Sequence, residues 1–266
     1  MEDNKPNFRK EKVQAFAKVL LFYVCTIIIL ISASQFTKEL SKPKGDLLSI
    51  FIAVLATFFL TFLFVKWDKI KLSDIGLKPG ILTLKRLFSG FIIGLLLAVL
   101  QALIVMAFGH LKLIMTSGFN WGTIVFSLFF YLLIAVREEL VFRSYLLRTL
   151  DHKFKATFAL SVMIILFILE HIVSGMSWKM AIVGSGLGGL LFGVAALKTK
   201  GIALPIGLHT AWNFGQWMTG FKNQSGIWNA VVDKGYEIQT ENVGLAAFVL
   251  LMVSTTYILS SRKIVL

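Results

Sequence analysis

Six polar residues whose types could support acid–base chemistry lie inside hydrophobic stretches of the sequence. Burying an ionisable side chain in a bilayer costs several kcal/mol on most scales, so such groups are rare and usually pair with each other or line a cavity. Only three of the 14 acidic residues and two of the four histidines fall inside these stretches, and this clustering predicts a functional site. The candidate site residues are Glu138, Glu139, Arg143, His171, His209 and Asn213.

The first of these stretches contains two adjacent carboxylates. In a helix, Glu139 and Arg143 stand four residues apart on one face, where they can form an ion pair. Glu138 points about 100° away from Glu139, because a helix has 3.6 residues per turn. The pair therefore leaves Glu138 free for general acid–base work. The alternative is a structural cluster of ion pairs that ties helices together.

His209 and Asn213 are also four residues apart and can project into one cavity. An imidazole beside a carboxamide supplies hydrogen-bond donors of the kind that stabilise an oxyanion. The alternative is hydrogen bonding between helices, which is common in membrane proteins. His171 alone is more typical of a structural residue. Glu170 is expected to cap a helix end near the outer surface or to modulate the site, without a catalytic role.

The composition predicts the elements that position these residues. Hydrophobic residues make up 57% of the 266 residues, charged residues only 15%, and the mean hydropathy is +0.80. Soluble domains have about 25% charged residues, so this composition is typical of a membrane protein. A bilayer-spanning helix needs about 20 apolar residues. Eight stretches qualify: 16–36, 47–65, 86–109, 121–146, 156–173, 179–197, 202–218 and 243–261.

The sequence thus predicts an all-α polytopic membrane protein, one domain over residues 1–266, with a polar cavity inside the bilayer. The net charge of +13 is interpreted as cytoplasmic loops facing anionic lipid, so no nucleic-acid partner is expected. Lysines and arginines at or beyond the ends of the stretches divide 17 to 7 between the two sides, which predicts both termini in the cytoplasm, and the plasma membrane is the expected location. The first stretch is too long for a signal peptide and is expected to stay as a helix.

Two further expectations concern packing and depth. The glycines of 184–193 follow the small-xxx-small spacing, which predicts close packing of the sixth helix. Measured from the cytoplasmic ends, Glu138 and His209 lie at depths of about 15 and 14 Å, whereas His171 lies at about 24 Å. Helix tilt, or a fifth helix that begins outside the bilayer, is needed to bring them together.

The candidate residues resemble the motifs of the CPBP family of intramembrane proteases, which includes CAAX prenyl endopeptidases and bacterial Abi proteins linked to bacteriocin self-immunity. The resemblance covers about residues 120–218, the motif-bearing core, and a segment at 72–77 resembles one that often precedes this core. The motifs occur in the family's order as Glu138-Glu139-x-x-x-Arg143, Phe167-x-x-x-His171 and His209-x-x-x-Asn213.

The resemblance implies an intramembrane endopeptidase that acts on a membrane-associated protein or peptide. It implies that Glu138 with His171 activates a water, and that His209 with Asn213 stabilises the oxyanion, while Glu139 with Arg143 holds the shape of the site. The family is commonly classed as metalloprotease. A divalent metal such as zinc, held by Glu138, His171 and His209, therefore stays an alternative to a metal-free mechanism, although no His-Glu-x-x-His helix is present.

Two other functions fit the sequence less well. Buried carboxylates and histidines also serve proton-coupled transporters, but those folds often show paired halves, whereas the polar groups here lie in the second half of the chain. A non-proteolytic immunity or scaffold protein could keep the fold and bind partners through the same cavity. The intact set of motifs favours the enzyme over both.

Overall fold

The computed structural model describes residues 8–118, 120–222 and 226–261. Lys5, Arg262 and Lys263, on which the expected orientation partly depends, lie outside these residues. The described helices are α1 (Phe8–Thr37), α2 (Lys42–Trp67), α3 (Ile81–Phe108), α4 (Trp121–Glu139), α5 (Leu147–Lys153), α6 (Ala156–Val173), α7 (Trp178–Met180), α8 (Gly186–Thr199), α9 (Ala203–Met218) and α10 (Glu237–Ser261).

Two π-helical segments join some of these helices into longer rods. Leu140–Leu146 connects α4 to α5, and Ala181–Ser185 connects α7 to α8. The described residues thus form eight helical rods at the eight predicted stretches, which confirms the polytopic all-α membrane fold. Six of the rods are long and apolar enough to span a bilayer. The other two, α4 with its extension and α9, carry Glu138 and His209.

The length of the rod that contains α4 changes the depth expected for Glu138. It continues past Arg148 to Lys153, five residues further than the sequence-based count assumed. At 1.5 Å per residue this adds about 7 Å to the depth of Glu138. By this count Glu138 reaches nearly the depth of His171, whereas the count for His209 does not change.

Glycines allow α3 and α9 to pack backbone against backbone. A Cβ atom added at Gly90 would lie 2.3 Å from the carbonyl oxygen of Leu204, and one added at Gly207 would lie 2.1 Å from that of Leu87. Gly94 makes a similar approach, at 2.4 Å from a backbone oxygen of α9. Three glycines thus fix the position of the helix that carries His209 and Asn213, a contact that the sequence reasoning missed.

The predicted close packing of the glycine run at 184–193 is present in only part of the run. A Cβ atom at Gly193 would lie 2.4 Å from the Leu160 side chain of α6, so this glycine is needed for the contact. Added Cβ atoms at Gly184 and Gly188 would lie 3.5 and 3.7 Å from their neighbours, which is ordinary van der Waals distance. The tightest contact of the run is therefore at Gly193, in its second half, whereas Gly184 and Gly188 make only ordinary contacts.

A small antiparallel sheet lies at one end of the bundle and was not predicted. Strand β1 (Leu111–Met115), after α3, pairs with β2 (Trp228–Val232), which precedes α10, with Leu113 opposite Ala230. The sequence reasoning treated the segment 219–242 as a loop. Short apolar runs of this kind are ambiguous by periodicity alone, because five residues give too few repeats.

A buried cluster fixes α1 and α2 against the rod that carries the acidic motif. Phe22 packs against Phe64 and Tyr145, with ring centroids 5.2 and 4.7 Å apart. The Tyr145 hydroxyl donates to Asp68 Oδ2 at 2.6 Å, and Asp68 also pairs with Lys18. The first two helices thus hold the π-helical segment in place, which gives them a structural contribution to the site.

Candidate active site

The acidic motif lies where the α4 rod changes from α to π geometry. Glu138 and Glu139 end α4, and Arg143 lies within the π-helical segment. π-helical insertions are frequent at functional sites because they shift side chains relative to a regular helix. The ion pair expected between Arg143 and Glu139 is present, with Nη1 3.3 Å from Oε1 and neither side chain exposed.

Aromatic rings surround the guanidinium group of Arg143. Its carbon lies 4.3 Å from the ring centroid of Phe167 on α6 and 5.5 Å from that of Phe192 on α8. None of its three nitrogens makes a hydrogen bond with a described residue. The charge is therefore balanced by the Glu139 carboxylate and by the negative faces of the rings. This arrangement joins α4, α6 and α8 behind the cavity.

His209 connects the two carboxylates. Its Nδ1 donates to Glu139 Oε1 at 3.0 Å, and its Nε2 lies 3.8 Å from Glu138 Oε2. The ring stacks on Phe192, with centroids 4.7 Å apart. A carboxylate that accepts from one nitrogen of a histidine fixes the ring orientation, so Glu139 holds His209 with Nε2 toward Glu138.

His171 is fixed by its own helix. Its Nδ1 lies 2.9 Å from the carbonyl oxygen of Phe167, one turn earlier on α6. A carbonyl oxygen only accepts, so Nδ1 carries a proton, and in the neutral form of the ring Nε2 is the acceptor. The Phe167 ring also packs edge-on against His171, with centroids 4.5 Å apart. Phe167 thus positions both His171 and Arg143.

Asn213 has a partner that sequence reasoning missed. Lys222, which follows α9, donates from Nζ to Asn213 Oδ1 at 3.2 Å, and its ammonium lies 5.0 Å from the ring centroid of Tyr131. Burial lowers the pKa of Lys222, and the charge of Glu138 opposes this effect. The sequence reasoning counted Lys222 as a loop cation. Lys222 lies nine residues after Asn213, a spacing that does not match the three or four residues between neighbours on a helix face, so no pattern in the sequence indicated this contact.

The catalytic candidates line one cavity of about 490 Å³. Its wall includes Glu138, His171, His209, Asn213 and Lys222. Glu139 and Arg143 do not line it but lie directly behind Glu138 and His209, fully buried. A cavity of 730 Å³ at the other end of the bundle contains none of the predicted site residues. The structure therefore separates the six predicted residues into four at the cavity and two that support them.

Comparison with protein-family models matches residues 120–215 to the Rce1-like family, described as type II CAAX prenyl endopeptidase Rce1-like. We call this segment, residues 120–215 of the 266, the Rce1-like domain after the family that it resembles. The matched range contains all six predicted site residues and supports the family resemblance drawn from the motifs. A comparison with curated proteins found no match.

The side chains of the Rce1-like domain show whether it can hold a metal ion. Within residues 8–118, 120–222 and 226–261, no group of three or more His, Cys, Asp or Glu side chains is arranged to hold a metal ion. Glu138, His171 and His209, the ligand set considered from the sequence, share the cavity without forming such a group. The mechanism proposed below therefore uses no metal ion.

The Rce1-like domain contains a second buried acid that does not line the cavity. Glu170 on α6 pairs with Arg137 on α4, and both side chains are at most 6% exposed. Arg137 also donates to the carbonyl oxygen of Thr26 on α1, at 3.4 Å. The expectation that Glu170 caps a helix at the outer surface is therefore wrong, because it forms a buried ion pair that links three helices.

Proposed function

We propose that this protein is an intramembrane endopeptidase that hydrolyses a peptide bond of a membrane-associated protein or peptide. The observation that carries the proposal is the convergence of Glu138, His171 and His209 on one cavity within the Rce1-like domain. A carboxylate that shares a cavity with two histidines has the groups needed to move protons during hydrolysis. Relatives in the matched family are described as prenyl endopeptidases, which favours a lipid-linked substrate class.

In the proposed mechanism Glu138, assisted by the Nε2 lone pair of His171, accepts a proton from a water molecule. The water oxygen forms a bond to the scissile carbonyl carbon, and the π electrons of that carbonyl move to its oxygen. Glu138 then donates its proton to the amide nitrogen as the carbon–nitrogen bond breaks. This use of one carboxylate first as base and then as acid leaves Glu138 in its starting form.

Asn213 and His209 are proposed to stabilise the oxyanion. The Nδ1–H of His209 is bound to Glu139, so a donor role for Nε2 requires that the ring carries two protons. The Glu139 carboxylate then stabilises the imidazolium through this hydrogen bond, in addition to its ion pair with Arg143. Glu139 and Arg143 do not contact the substrate in this scheme and act by fixing His209.

A comparison of cells that express wild-type protein or Glu138→Gln at matched levels tests the proposal. The measurement is quantitative proteomics of membrane proteins and of secreted peptides. We expect one or more cleavage products to disappear in Glu138→Gln, because the amide cannot accept the water proton. Glu170→Gln is the matched control, since it alters a buried glutamate that does not line the cavity, and it should keep the products.

The purified protein then tests the substrate class. The substrate found in cells is supplied as a synthetic peptide with and without a prenyl group, and cleavage by wild type and Glu138→Gln is followed by mass spectrometry. Cleavage of only the prenylated peptide would show that the protein recognises the prenyl group. An unchanged set of peptides in cells, with the biological role retained by Glu138→Gln, instead favours the immunity or scaffold function.

We further propose that the protein lies in the plasma membrane with both termini in the cytoplasm. The cavity wall includes Met176 and Lys222. In this orientation, the loops that contain these two residues face the outside of the cell. Cleavage is then expected near the outer surface. A cysteine at position 233, introduced as Asp233→Cys with Cys25→Ser, should react with a membrane-impermeant maleimide added to intact cells. If this cysteine reacts only after the cells are opened, position 233 lies on the cytoplasmic side and the orientation is the opposite of the one proposed.

A further inference from the structure

The turn that follows α9 brings a cation back to the catalytic cavity. Helix α9 ends at Met218, and Gly220 adopts a φ of +74°, which favours glycine. The amides of Phe221 and Lys222 then both donate to the carbonyl oxygen of Gln216, at 3.0 and 3.1 Å. The backbone therefore reverses within four residues, and the Lys222 side chain extends back along the helix toward Asn213.

The surroundings of Gly220 show that the turn is closely packed. A Cβ atom at Gly220 would lie 2.5 Å from the carbonyl oxygen of Trp228 at the start of β2. A Cβ atom at Gly226 would lie 1.8 Å from the carbonyl oxygen of Trp217. The small sheet is thus packed onto the end of α9, and it holds the reversal that directs Lys222 inward.

The hydrogen bond from Lys222 determines the orientation of the Asn213 amide. An ammonium group has three donors and no acceptor, so the Asn213 atom within 3.2 Å of Nζ must be the carbonyl oxygen. The NH₂ group of Asn213 consequently points to the other side of the amide. Without a charged donor, the two ends of a carboxamide are similar in shape and can exchange places.

This orientation matters for the proposed reaction because only the NH₂ end can donate to an oxyanion. Asn213 lines the cavity together with Glu138 and His209. Lys222 also carries a positive charge that is close enough to interact with Glu138. The Tyr131 ring on α4 also contacts the ammonium, with its centroid 5.0 Å from Nζ.

We propose that Lys222 is a positioning residue that holds the Asn213 amide with its NH₂ group toward the substrate carbonyl. The inference rests on the proposed function and adds a residue from outside the matched family segment. Lys222 acts through Asn213, so its effect appears in the transition state, where the oxyanion forms, and depends on the presence of Asn213.

Steady-state kinetics of purified variants test this assignment, with the peptide whose cleavage Glu138→Gln abolishes as substrate. Lys222→Met should lower kcat by about 10- to 100-fold, with KM unchanged, because misplacement of a catalytic group by about 1 Å has an effect of this size. Lys222→Arg keeps a charged donor and should recover much of the loss. Lys112→Met removes an exposed lysine of β1 that pairs with Asp233, and should match wild type.

A double-mutant cycle separates positioning from a general effect of charge. In the Asn213→Ala background, Lys222→Met should cause no further loss, because the amide that it orients is absent. Additive losses, or wild-type kcat in Lys222→Met, would overturn the assignment while leaving the proposed function intact. A wild-type protein that cleaves no peptide would remove the proposed function and this assignment together.

Discussion

Two buried arginines of the same helical rod each pair with a glutamate, yet the two pairs have different relations to the cavity. Arg143 and Glu139 pair within the rod at 3.3 Å and have no exposed side-chain surface. Arg137 and Glu170 pair between α4 and α6 with almost equal burial. By burial, charge and residue type, the two pairs are nearly indistinguishable.

Their other contacts distinguish them. Glu139 accepts a hydrogen bond from His209, whose second nitrogen faces Glu138 in the cavity. Arg137 instead donates to a backbone carbonyl oxygen of α1. The comparison teaches that a buried ion pair in a membrane helix does not by itself mark a catalytic site. Contact with a histidine that reaches a cavity is the more informative feature.

The largest expected effects come from removal of either arginine. Arg137→Met removes the ion-pair partner of Glu170, and Arg143→Met leaves Glu139 with His209 alone. Loss of a buried ion-pair partner should lower the free energy of unfolding by about 3–5 kcal/mol. Thermal unfolding in detergent measures this effect. Activity per folded molecule should fall in Arg143→Met alone, because only Glu139 orients His209. Equal loss of specific activity in both variants would show that the two pairs do not differ in function.

A smaller effect on catalysis, measured per folded molecule and separate from the loss of the ion pair, is expected from the neutral variants of the two acids. Glu139→Gln keeps the shape but weakens the hold on His209, and it should lower kcat by about 10- to 100-fold, as for other residues that orient a catalytic histidine. Glu170→Gln should keep nearly full kcat. The measurement is kcat on the peptide identified through Glu138→Gln. A larger loss in Glu170→Gln than in Glu139→Gln would contradict the comparison.

These two pairs also show how far sequence could predict the site. The spacing of Glu139 and Arg143 within one helix was enough to predict their ion pair, since helical geometry is local. The pairing of Arg137 with Glu170 joins two helices, and no spacing in the sequence encodes it. Lys222 was missed for a related reason, because its position depends on a chain reversal at Gly220.

The eight rods were predicted more completely than their packing. Long apolar stretches identify membrane helices because the bilayer thickness sets their length. The α3–α9 contact depends on Gly90, Gly94 and Gly207, whose spacing resembles that of many other glycines in the chain. The glycine run at 184–193 gave a stronger pattern, although only part of it packs tightly. A sequence pattern thus shows where helices can approach, but not which partner they meet.

The smallest of these effects is expected from a pair of glycine substitutions that separates the two kinds of helix contact. Gly207→Ala places a methyl group 2.1 Å from the carbonyl oxygen of Leu87, so α3 and α9 must move apart. Overpacking of this kind should lower the free energy of unfolding by about 1–3 kcal/mol. The same change at Gly188, where the nearest atom is 3.7 Å away on the Phe192 ring, should have little effect on stability.

The catalytic consequence of Gly207→Ala follows from the residues that α9 carries. His209 lies two residues after the substitution, so a displaced α9 lengthens its contact with Glu139 and reduces kcat in the protein that still folds. Thermal unfolding and peptide cleavage measured on the same preparations give both quantities. A Gly207→Ala protein with wild-type stability and kcat would show that α9 is not held by this backbone contact. The position of His209 would then depend on Glu139 and the Phe192 ring alone.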